Sequence, residues 1–575
     1  MRTLRHVVVL FSALCLAPIA FAQGPRGADA TPLLVQKGPR GADATPLTSR
    51  ALISLLSDDF AVCVAVNDLR GNMTRWEKSD WLKTFKKSAI GKALYDTPEF
   101  KQLEHLQAEL QRHFDLDWPT LRDDILGDAI VLAYSPPTKK QDDEHGLLLL
   151  QARNANRLAE LVDKLNKAQL KSKELKSLKE LEHKGTKYFK RAEPSKTNFY
   201  LLDDGFLAFS DKEAPLKSLI ERRASPSAET TWTKRFERSG ADRAFLSLCV
   251  NPRRLDLDLG PAKEGAPLPG FWNALDAVFI TASVRDEAEL RVTMQADVAR
   301  LPGWAKSSFT KTSPPSALWQ RFPERSLLTV ASQMDFAGAA GAIQLMVPPE
   351  DRKKFEDEWQ RSVGAVIGLD PFKDIFPNLG PDWGFCVLPA RNAREVPQAM
   401  FAIAVKPGEK DLKVDEGLFK AVQLLASFAI VDHNNKHPDS IIRMQTVMQG
   451  KVEVRYLTND KLFPAGLQPA CALKDGYLVF ATTPDAIEQF RRYDNKVSGH
   501  DTPLGRISTH EFAKVLDQRR DHILAGLTRQ NMPEAAAKQN FENVLSFLRL
   551  FDGVTISHRG DAGQASWTIR VAPAK

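Results

Sequence analysis

The chain has 575 residues, of which 43% are hydrophobic and 26% charged, and its formal net charge is +7. This composition is that of a globular protein, and it excludes a disordered chain, a collagen-like fibre and a small disulfide-rich domain. At roughly 100 to 200 residues per domain, the length predicts two to four domains. The mild positive charge gives no support for a specific nucleic-acid partner.

Residues 1–22 predict a signal peptide. A basic start precedes the apolar run 7–17, and Ala20 and Ala22 place small residues where a signal peptidase reads them. The run is shorter than the ~20 residues that span a bilayer, and Pro18 ends it. We therefore expect cleavage between Ala22 and Gln23, export to the periplasm or the extracellular medium, and no transmembrane segment in the mature chain. The leader carries two arginines, so the net charge falls from +7 to +5 on cleavage.

Residues 23–47 predict a low-complexity linker. The decapeptide G-P-R-G-A-D-A-T-P-L begins at Gly24 and again at Gly38. It is rich in Gly, Pro and Ala and offers little surface to bury, so we expect a flexible tether.

The remainder shows an internal duplication, because five landmarks recur in the same order in its two halves. They are an apolar strand ending in a carboxylate (61–68 and 327–335), an L-D motif followed by L-G (116–127 and 369–380), a glycine turn (Gly185 and Gly450), the motif D-G-[FY]-L-x-F (204–209 and 475–480), and a closing hairpin that Asp276 or Asp552 opens. The landmarks predict two homologous lobes, residues 48–300 and 313–575.

Each lobe reads as α+β, with a mainly antiparallel sheet and helices packed on it. Short apolar strands bounded by turn residues alternate with helix-period segments. The D-G pairs at Asp204 and Asp475 predict tight hairpins, because such turns need positive φ at their centre. We expect the helices to cover one side of each sheet.

Four cysteines follow the leader: Cys63, Cys249, Cys386 and Cys471. Each lies in an apolar, strand-like context that favours a buried thiol behaving as a small hydrophobic group. An exported protein meets oxidising conditions, so disulfides remain the alternative.

The segment 164–191 is strongly basic, with ten Lys or Arg against three Glu, and with Tyr188 and Phe189 near its end. A groove for an anionic polymer has this composition, with phosphate contacts from lysines and stacking from rings. The alternative is a solvated helix face, because Leu175, Leu178 and Leu181 alternate with the lysines. The candidate anion-binding residues are Lys164, Lys167, Lys171, Lys173, Lys176 and Lys187.

One group of side chains offers candidate metal ligands: Asp432, His433, His437 and Asp439. The two histidines are four residues apart, but N-N at 434–435 and Pro438 indicate a loop, where such residues are common without a metal. The apolar run 418–431, which precedes the group, is too short to span a bilayer and predicts a core helix.

Motifs for phosphate binding or for an activated nucleophile do not occur in the sequence. The sequence therefore predicts no catalytic residue and no cofactor. A site built from distant carboxylates, such as the pairs at 123–124 and 203–204, stays open.

The segment 369–389 resembles a family of exported bacterial proteins of unknown function. Those proteins combine a signal peptide with tandem α+β lobes and an L-G-P-acid motif that opens a strand. Here the motif is L-G-P-D-W at 379–383, whereas the first half has L-G-D-A at 126–129. The resemblance implies an envelope or secreted location and no catalytic residues.

Three classes of function stay open for this sequence. The first is a non-enzymatic binding or scaffolding protein that uses a cleft between the duplicated lobes. The second is a secreted hydrolase with its site in that cleft. The third is a binder of an anionic polymer or lipid through the basic segment. The partner would accordingly be an envelope protein, a lipid or a polyanionic polymer.

Overall fold

The computed structural model describes residues 48–574 except 138–143, 226–228, 256–266, 286, 349, 365–367, 393, 407–413 and 495–499. The predicted signal peptide and linker lie outside the described residues. The chain divides into two units, each of which mixes helices with antiparallel strands, so the α+β prediction is confirmed. The first unit takes in the chain up to Asp258 together with Leu275–Gln295, and the second takes in Leu259–Ala274 and everything from Ala296 onwards.

The described residues of the first unit form ten strands, which are mostly apolar or β-branched, as pleated and half-buried surfaces favour. They are β1 (Val62–Asn67), β2 (Ala129–Ser135), β3 (His145–Gln151), β4 (Ser177–His183), β5 (Thr186–Ala192), β6 (Thr197–Asp203), β7 (Phe206–Ser210), β8 (Leu246–Val250), β9 (Leu275–Val284) and β10 (Ala288–Ala296).

The described residues of the first unit also form eight α-helices. They are α1 (Ser49–Ile53), α2 (Leu69–Lys78), α3 (Asp80–Lys87), α4 (Ala89–Tyr95), α5 (Pro98–Phe114), α6 (Ala155–Ser172), α7 (Glu213–Ala224) and α8 (Thr231–Ser239). A short turn, Trp118–Thr120, and a π-helix, Leu121–Ile125, lead into β2.

The strands of the first unit form an antiparallel sheet in the order β4-β5-β6-β7-β3-β2-β1-β8-β9-β10. Strands adjacent in the sheet are consecutive along the chain except where β7 pairs with β3 and β8 pairs with β1. Strand β4 therefore lies at an edge, and β1 lies inside the sheet.

Both faces of this sheet are covered, so the prediction of cover on one side was wrong. On one face, Cys63 and Ala65 of β1 share a buried cluster with Trp232 and Phe236 of α8. On the other face, Val66 packs with residues of α2 and α6. Successive strand residues point to opposite faces, and because nearly every position of β1 is apolar, both faces can be buried.

The described residues of the second unit form ten further strands. They are β11 (Leu328–Gln333), β12 (Leu379–Leu388), β13 (Gln398–Val405), β14 (Arg443–Gln449), β15 (Val452–Thr458), β16 (Ala470–Lys474), β17 (Tyr477–Ala481), β18 (Thr502–Ile507), β19 (Phe551–Asp561) and β20 (Gln564–Pro573).

Nine α-helices belong to the described part of this unit. They are α9 (Pro267–Ala274), α10 (Gly303–Thr310), α11 (Phe336–Met346), α12 (Arg352–Trp359), α13 (Val414–Lys436), α14 (Pro484–Gln489), α15 (Thr509–Gln518), α16 (Arg520–Arg529) and α17 (Glu534–Leu548). Two π-helices, Gln360–Gly364 and Pro371–Ile375, precede β12.

The strands of the second unit pair in the order β14-β15-β16-β17-β13-β12-β11-β18-β19-β20, again antiparallel throughout. This is the order of the first unit with ten added to each strand number. One face packs against Ile487 of α14 and against Phe490, which directly follows that helix, and the other face packs against α13 through Leu418.

Local structures also recur between the units. Asp68 accepts a hydrogen bond from the backbone N–H of Gly71, at 2.9 Å, where α2 begins, and Asp335 accepts one from Gly338, at 3.1 Å, where α11 begins. A Cβ at either glycine would lie within 2.4 Å of the aspartate carboxylate, so a larger residue there would require the capping side chain to shift. The D-G hairpins are confirmed, because Gly205 and Gly476 have φ of 77° and 79°.

Candidate functional site

The structure splits the basic segment into lysines with ion pairs and lysines without them. Three of the six candidate residues have carboxylate partners within the segment or one helical turn before it. The pairs are Lys164 with Glu160 at 2.8 Å, Lys167 with Asp163 at 2.6 Å, and Lys187 with Glu180 at 2.7 Å. These pairs support the alternative interpretation of these three lysines, which is a solvated helix face and the outer side of a strand.

Four exposed lysines, Lys171, Lys173, Lys176 and Lys179, form no ion pair with another described residue. We call these four the basic surface. Their backbone is fixed, because Lys173 ends α6 with a φ of 65° and the N–H of Lys176 donates to Ala192 at 2.7 Å. Buried Leu175 anchors the same turn. Four ammonium groups within nine residues attract anions in a salt-dependent way.

The two aromatic rings of the segment are not available for stacking on a ligand. The Tyr188 side chain is buried, and its hydroxyl donates to Glu213 at 2.5 Å. The Phe189 ring stacks on Tyr200, with ring centroids 4.9 Å apart. The basic surface therefore offers charge alone, as phosphate or sulfate groups require, and no platform for bases.

The corresponding helix of the second unit, α13, is buried in its first half and exposed in its second half. The first half contributes Leu418, Phe419 and Val422 to the core. The second half exposes Leu424, Leu425, Phe428 and Val431, with Phe428 58% exposed. The prediction that 418–431 forms a helix is confirmed, but its placement wholly in the core was wrong, because the sheet covers only the first half of this apolar helix.

Strand β14 extends this exposed apolar surface. Met448 is 60% exposed, and it lies opposite Glu453 of β15. Val454, the next residue of β15, belongs to the core on the α14 face, so Met448 lies on the α13 face. We call Leu424, Leu425, Phe428, Val431 and Met448 the α13–β14 surface.

Polar contacts fix the corner between α13 and β14. The Asn434 amide accepts from the N–H of Ile442 at 2.8 Å and donates to the carbonyl oxygen of Ile442 at 3.0 Å. His433 Nε2 lies 2.9 Å from the carbonyl oxygen of Ser440. These contacts hold the apolar side chains of both elements in place.

The candidate metal ligands lie at this corner. Helix α13 continues to Lys436, so the loop predicted from residues 434–438 begins later than expected. Asp432 pairs with Lys436 at 2.8 Å, and the rings of His433 and His437 lie 4.8 Å apart. No group of three or more His, Cys, Asp or Glu side chains among the described residues, including Asp439, has the geometry of a metal site. His433 has a structural role instead, through Ser440.

Three of the four carboxylates considered for hydrolysis form ion pairs with arginines. Asp123 lies 2.6 Å from Arg122, Asp124 lies 3.3 Å from Arg157, and Asp203 lies 2.8 Å from Arg223. The structure thus gives these residues a role in fixing the π-helix and the end of β6.

Each unit has a small cavity at the end of its first strand. The cavity in the first unit measures about 110 Å³ and is lined by Asp68 and Arg75, which lie 3.5 Å apart. The cavity in the second unit measures about 280 Å³ and is lined by Asp335 and Lys406, whose ammonium donates to Pro377 at 2.6 Å. Arg75 and Lys406 are thus each engaged by other groups of the protein.

The described cysteines are free thiols. Cys63, Cys249 and Cys386 are buried, as predicted, whereas Cys471 is partly exposed. Burial raises the pKa of the Cys63 and Cys249 thiols, so both stay protonated at neutral pH and are poor nucleophiles. Cys63 lies directly opposite Cys249 on the neighbouring strand.

Comparison with known proteins adds no functional assignment. No family model matches the chain, and no curated protein matches it significantly. Within the described ranges, no helix has both the length and the apolar character needed to cross a bilayer.

Sequence reasoning missed the α13–β14 surface. Two signals pointed to it: apolar residues on both sides of α13, and a strand, R-M-Q-T-V-M-Q, with a single charged residue. A half-exposed helix and an edge strand with these sequences leave apolar side chains in water.

Proposed function

We propose that the chain is an exported, non-enzymatic binding or scaffolding protein of the bacterial envelope or the extracellular medium. The leader pattern of residues 1–22 supports export. The observation that carries the binding role is the α13–β14 surface, where five apolar side chains are each more than a third exposed. Large exposed apolar side chains gathered in one region often mark a site that binds a partner.

We further propose that the two units are homologous lobes from a duplication. Both place ten antiparallel strands in the same order, with the same two returns to an inner strand. They also share the Asp-to-Gly helix cap and the D-G hairpin at matching places. Independent convergence on all of these details is improbable, because many strand orders satisfy the same packing rules.

A thermal-shift screen tests the binding role. Residues 23–575 are heated with metals, nucleotides, glycans, cell-wall fragments, lipids and polyanions, and at increasing concentrations of the protein itself. A partner at 100 times its dissociation constant stabilises the fold by about 2.7 kcal/mol. We expect one class to raise the melting temperature and to be recovered chemically unchanged.

A matched pair of variants locates the site within the screen. Phe428→Asp places a charge on the α13–β14 surface and should abolish the shift. Leu170→Asp places the same charge on an exposed apolar residue of α6 and should leave it intact. Conversion of the ligand to a product would contradict the proposal and favour the secreted hydrolase.

A second candidate function is binding of an anionic polymer or lipid headgroup through the basic surface. The four lysines without ion pairs favour it. We expect affinity for heparin-like polymers or anionic vesicles to fall steeply with salt and to be lost in the triple variant Lys171→Glu, Lys173→Glu, Lys176→Glu. The control is Lys164→Glu, Lys167→Glu, which changes lysines that already have carboxylate partners. Equal losses in the two variants would exclude a specific basic surface.

A further inference from the structure

Strand β14 is an edge strand whose outer side is open for pairing. Among the described strands it pairs with β15 alone. The two-residue turn at 450–451 closes on the pair Gln449 and Val452, which therefore exchanges hydrogen bonds. Hydrogen-bonded and non-bonded pairs alternate along the ladder, so the N–H and C=O groups of Met444, Thr446 and Met448 point outwards.

This edge lacks the protection that edge strands normally carry. Lysines, prolines, inward-pointing charges and bulges are the usual means of preventing strand addition. Strand β14 has one charged residue, Arg443, at its end, no proline, and a regular register. The equivalent edge strand β4 carries Lys179, Glu180 and Glu182 and begins next to Lys176.

The sequence of β14 is complementary to itself in an antiparallel arrangement. When two copies pair about a two-fold axis at Thr446, Met444 faces Met448 of the other copy, and both belong to the outward-pointing set. Arg443 then faces Gln449, and no like charges meet. The same operation on β4 places Glu180 opposite Glu180, and like charges directly opposite destabilise a ladder.

We propose that the α13–β14 surface binds a second copy of this chain, through antiparallel pairing of β14 with β14 about a two-fold axis at Thr446. The inference rests on the proposed function, in which this surface binds a partner, and it names that partner. Such an interface is isologous, since the same patch serves both copies. The methionines of both strands come together on the α13 face of the paired sheets.

The mass of the assembly in solution is the first test. Light scattering and sedimentation of residues 23–575 from about 1 to 100 μM should show twice the mass of one chain at the upper end. Thr446→Pro removes an outward N–H while leaving the β15 ladder intact. We expect it to weaken association about tenfold, because two hydrogen bonds are lost across the axis.

Glu180→Pro is the matched control, since Glu180 holds the same position relative to its hairpin in β4. It should leave the association unchanged. Phe428→Asp, on the exposed side of α13, tests the apolar contribution without touching the strand and should also weaken association. Far-ultraviolet circular dichroism and the unfolding midpoint of each variant report whether its fold is retained.

A cysteine at the axis tests the register. Residues of a hydrogen-bonded antiparallel pair have Cα atoms about 5.5 Å apart, which a disulfide can bridge. Thr446→Cys should therefore give a covalent dimer when oxidised glutathione accepts the two electrons of the paired thiols, whereas Glu180→Cys should not.

The outcomes separate this inference from the proposed function. A monomer at every concentration, or a dimer insensitive to both Thr446→Pro and Phe428→Asp, overturns the second copy as partner. If in that case a ligand still shifts the melting temperature in a Phe428-dependent way, the binding function stands with another occupant. Turnover of a ligand by a dimeric chain would overturn the proposed function and leave the dimer.

Discussion

The α6–β4 region of the first unit and the α13–β14 region of the second occupy the same place in the same strand order, and they present opposite chemistry to solvent. Helix α6 exposes charged residues joined by pairs such as Asp163 with Lys167. Helix α13 exposes Phe428 and Val431 at similar depth along the helix. The fold therefore leaves the exposed residues of this helix free to vary.

The inner sides of the two helices are alike. Leu158 of α6 and Leu418 of α13 are both buried against the sheet of their unit. Burial of an aliphatic side chain contributes about 1.5–3 kcal/mol, whereas an exposed one contributes little. The inner residues thus hold the architecture, while the outer residues carry the difference between the units.

The largest expected effect on stability distinguishes a buried residue of α13 from an exposed one. Leu418→Ala should lower the free energy of unfolding by about 2–4 kcal/mol, because it leaves a cavity in a core that cannot fully collapse. Phe428→Ala should change it by no more than about 0.5 kcal/mol at concentrations where the chain is monomeric. Urea unfolding followed by circular dichroism measures both.

Equal destabilisation by the two substitutions would contradict the distinction between buried and exposed residues of α13, since it would mean that Phe428 is buried in the monomer. Leu158→Ala is the control in the first unit, and its effect should match that of Leu418→Ala.

Much of this architecture could be predicted from the sequence. The D-G motifs at Asp204 and Asp475 predicted hairpins because only a few residue types tolerate positive φ, and both hairpins are present. The helix at 418–431 was predicted from its apolar run. The exposure of its second half was not predicted. A side chain's exposure depends on which element packs against it, and sequence periodicity does not report that when a helix is apolar all round.

The candidate sites show the same limit. Ten basic residues in one segment suggested an anion site, but the pairing of Lys164 and Lys167 with carboxylates one turn away removes part of it. His433 resembled a metal ligand because sequence spacing does not reveal that its ring contacts the backbone of Ser440. The unprotected edge of β14 became visible only with the strand order.

The matching hairpin turns give the next effect. Gly205→Ala and Gly476→Ala should each destabilise the protein by about 1–2 kcal/mol, because alanine at positive φ is strained. Similar values in the two units would support the equivalence of the two turns, whose glycines have φ of 77° and 79°. Gly526→Ala is the control of opposite sign: this glycine lies in α16 with open space around it, and alanine there should stabilise by about 0.5–1 kcal/mol. A neutral outcome at both turns would remove the physical reason for the repeated D-G motif. Thermal unfolding of the three variants measures these changes in stability.

The smallest effect concerns the closing hairpins, of which only the second has a histidine in its first strand. The eighth residue of β9 is Ala282, and the eighth residue of β19 is His558, which is buried beside Trp567. Burial lowers the pKa of His558 below its ordinary value of 6.5, although Asp501 and the Ser308 backbone act in the opposite direction. The folded state then binds fewer protons than the unfolded state below about pH 6.5.

The free energy of unfolding should therefore be constant above about pH 6.5 and fall as the pH drops below it, by at most about 1.4 kcal/mol per pH unit from this residue. In His558→Gln the buried group no longer titrates, so the decline between about pH 6.5 and 5 should become shallower. His522→Gln, which changes an exposed histidine of the same unit, should leave the profile as it is. Urea titrations at several pH values measure the slope, and an unchanged slope in His558→Gln would show that the difference between Ala282 and His558 has no consequence for acid stability.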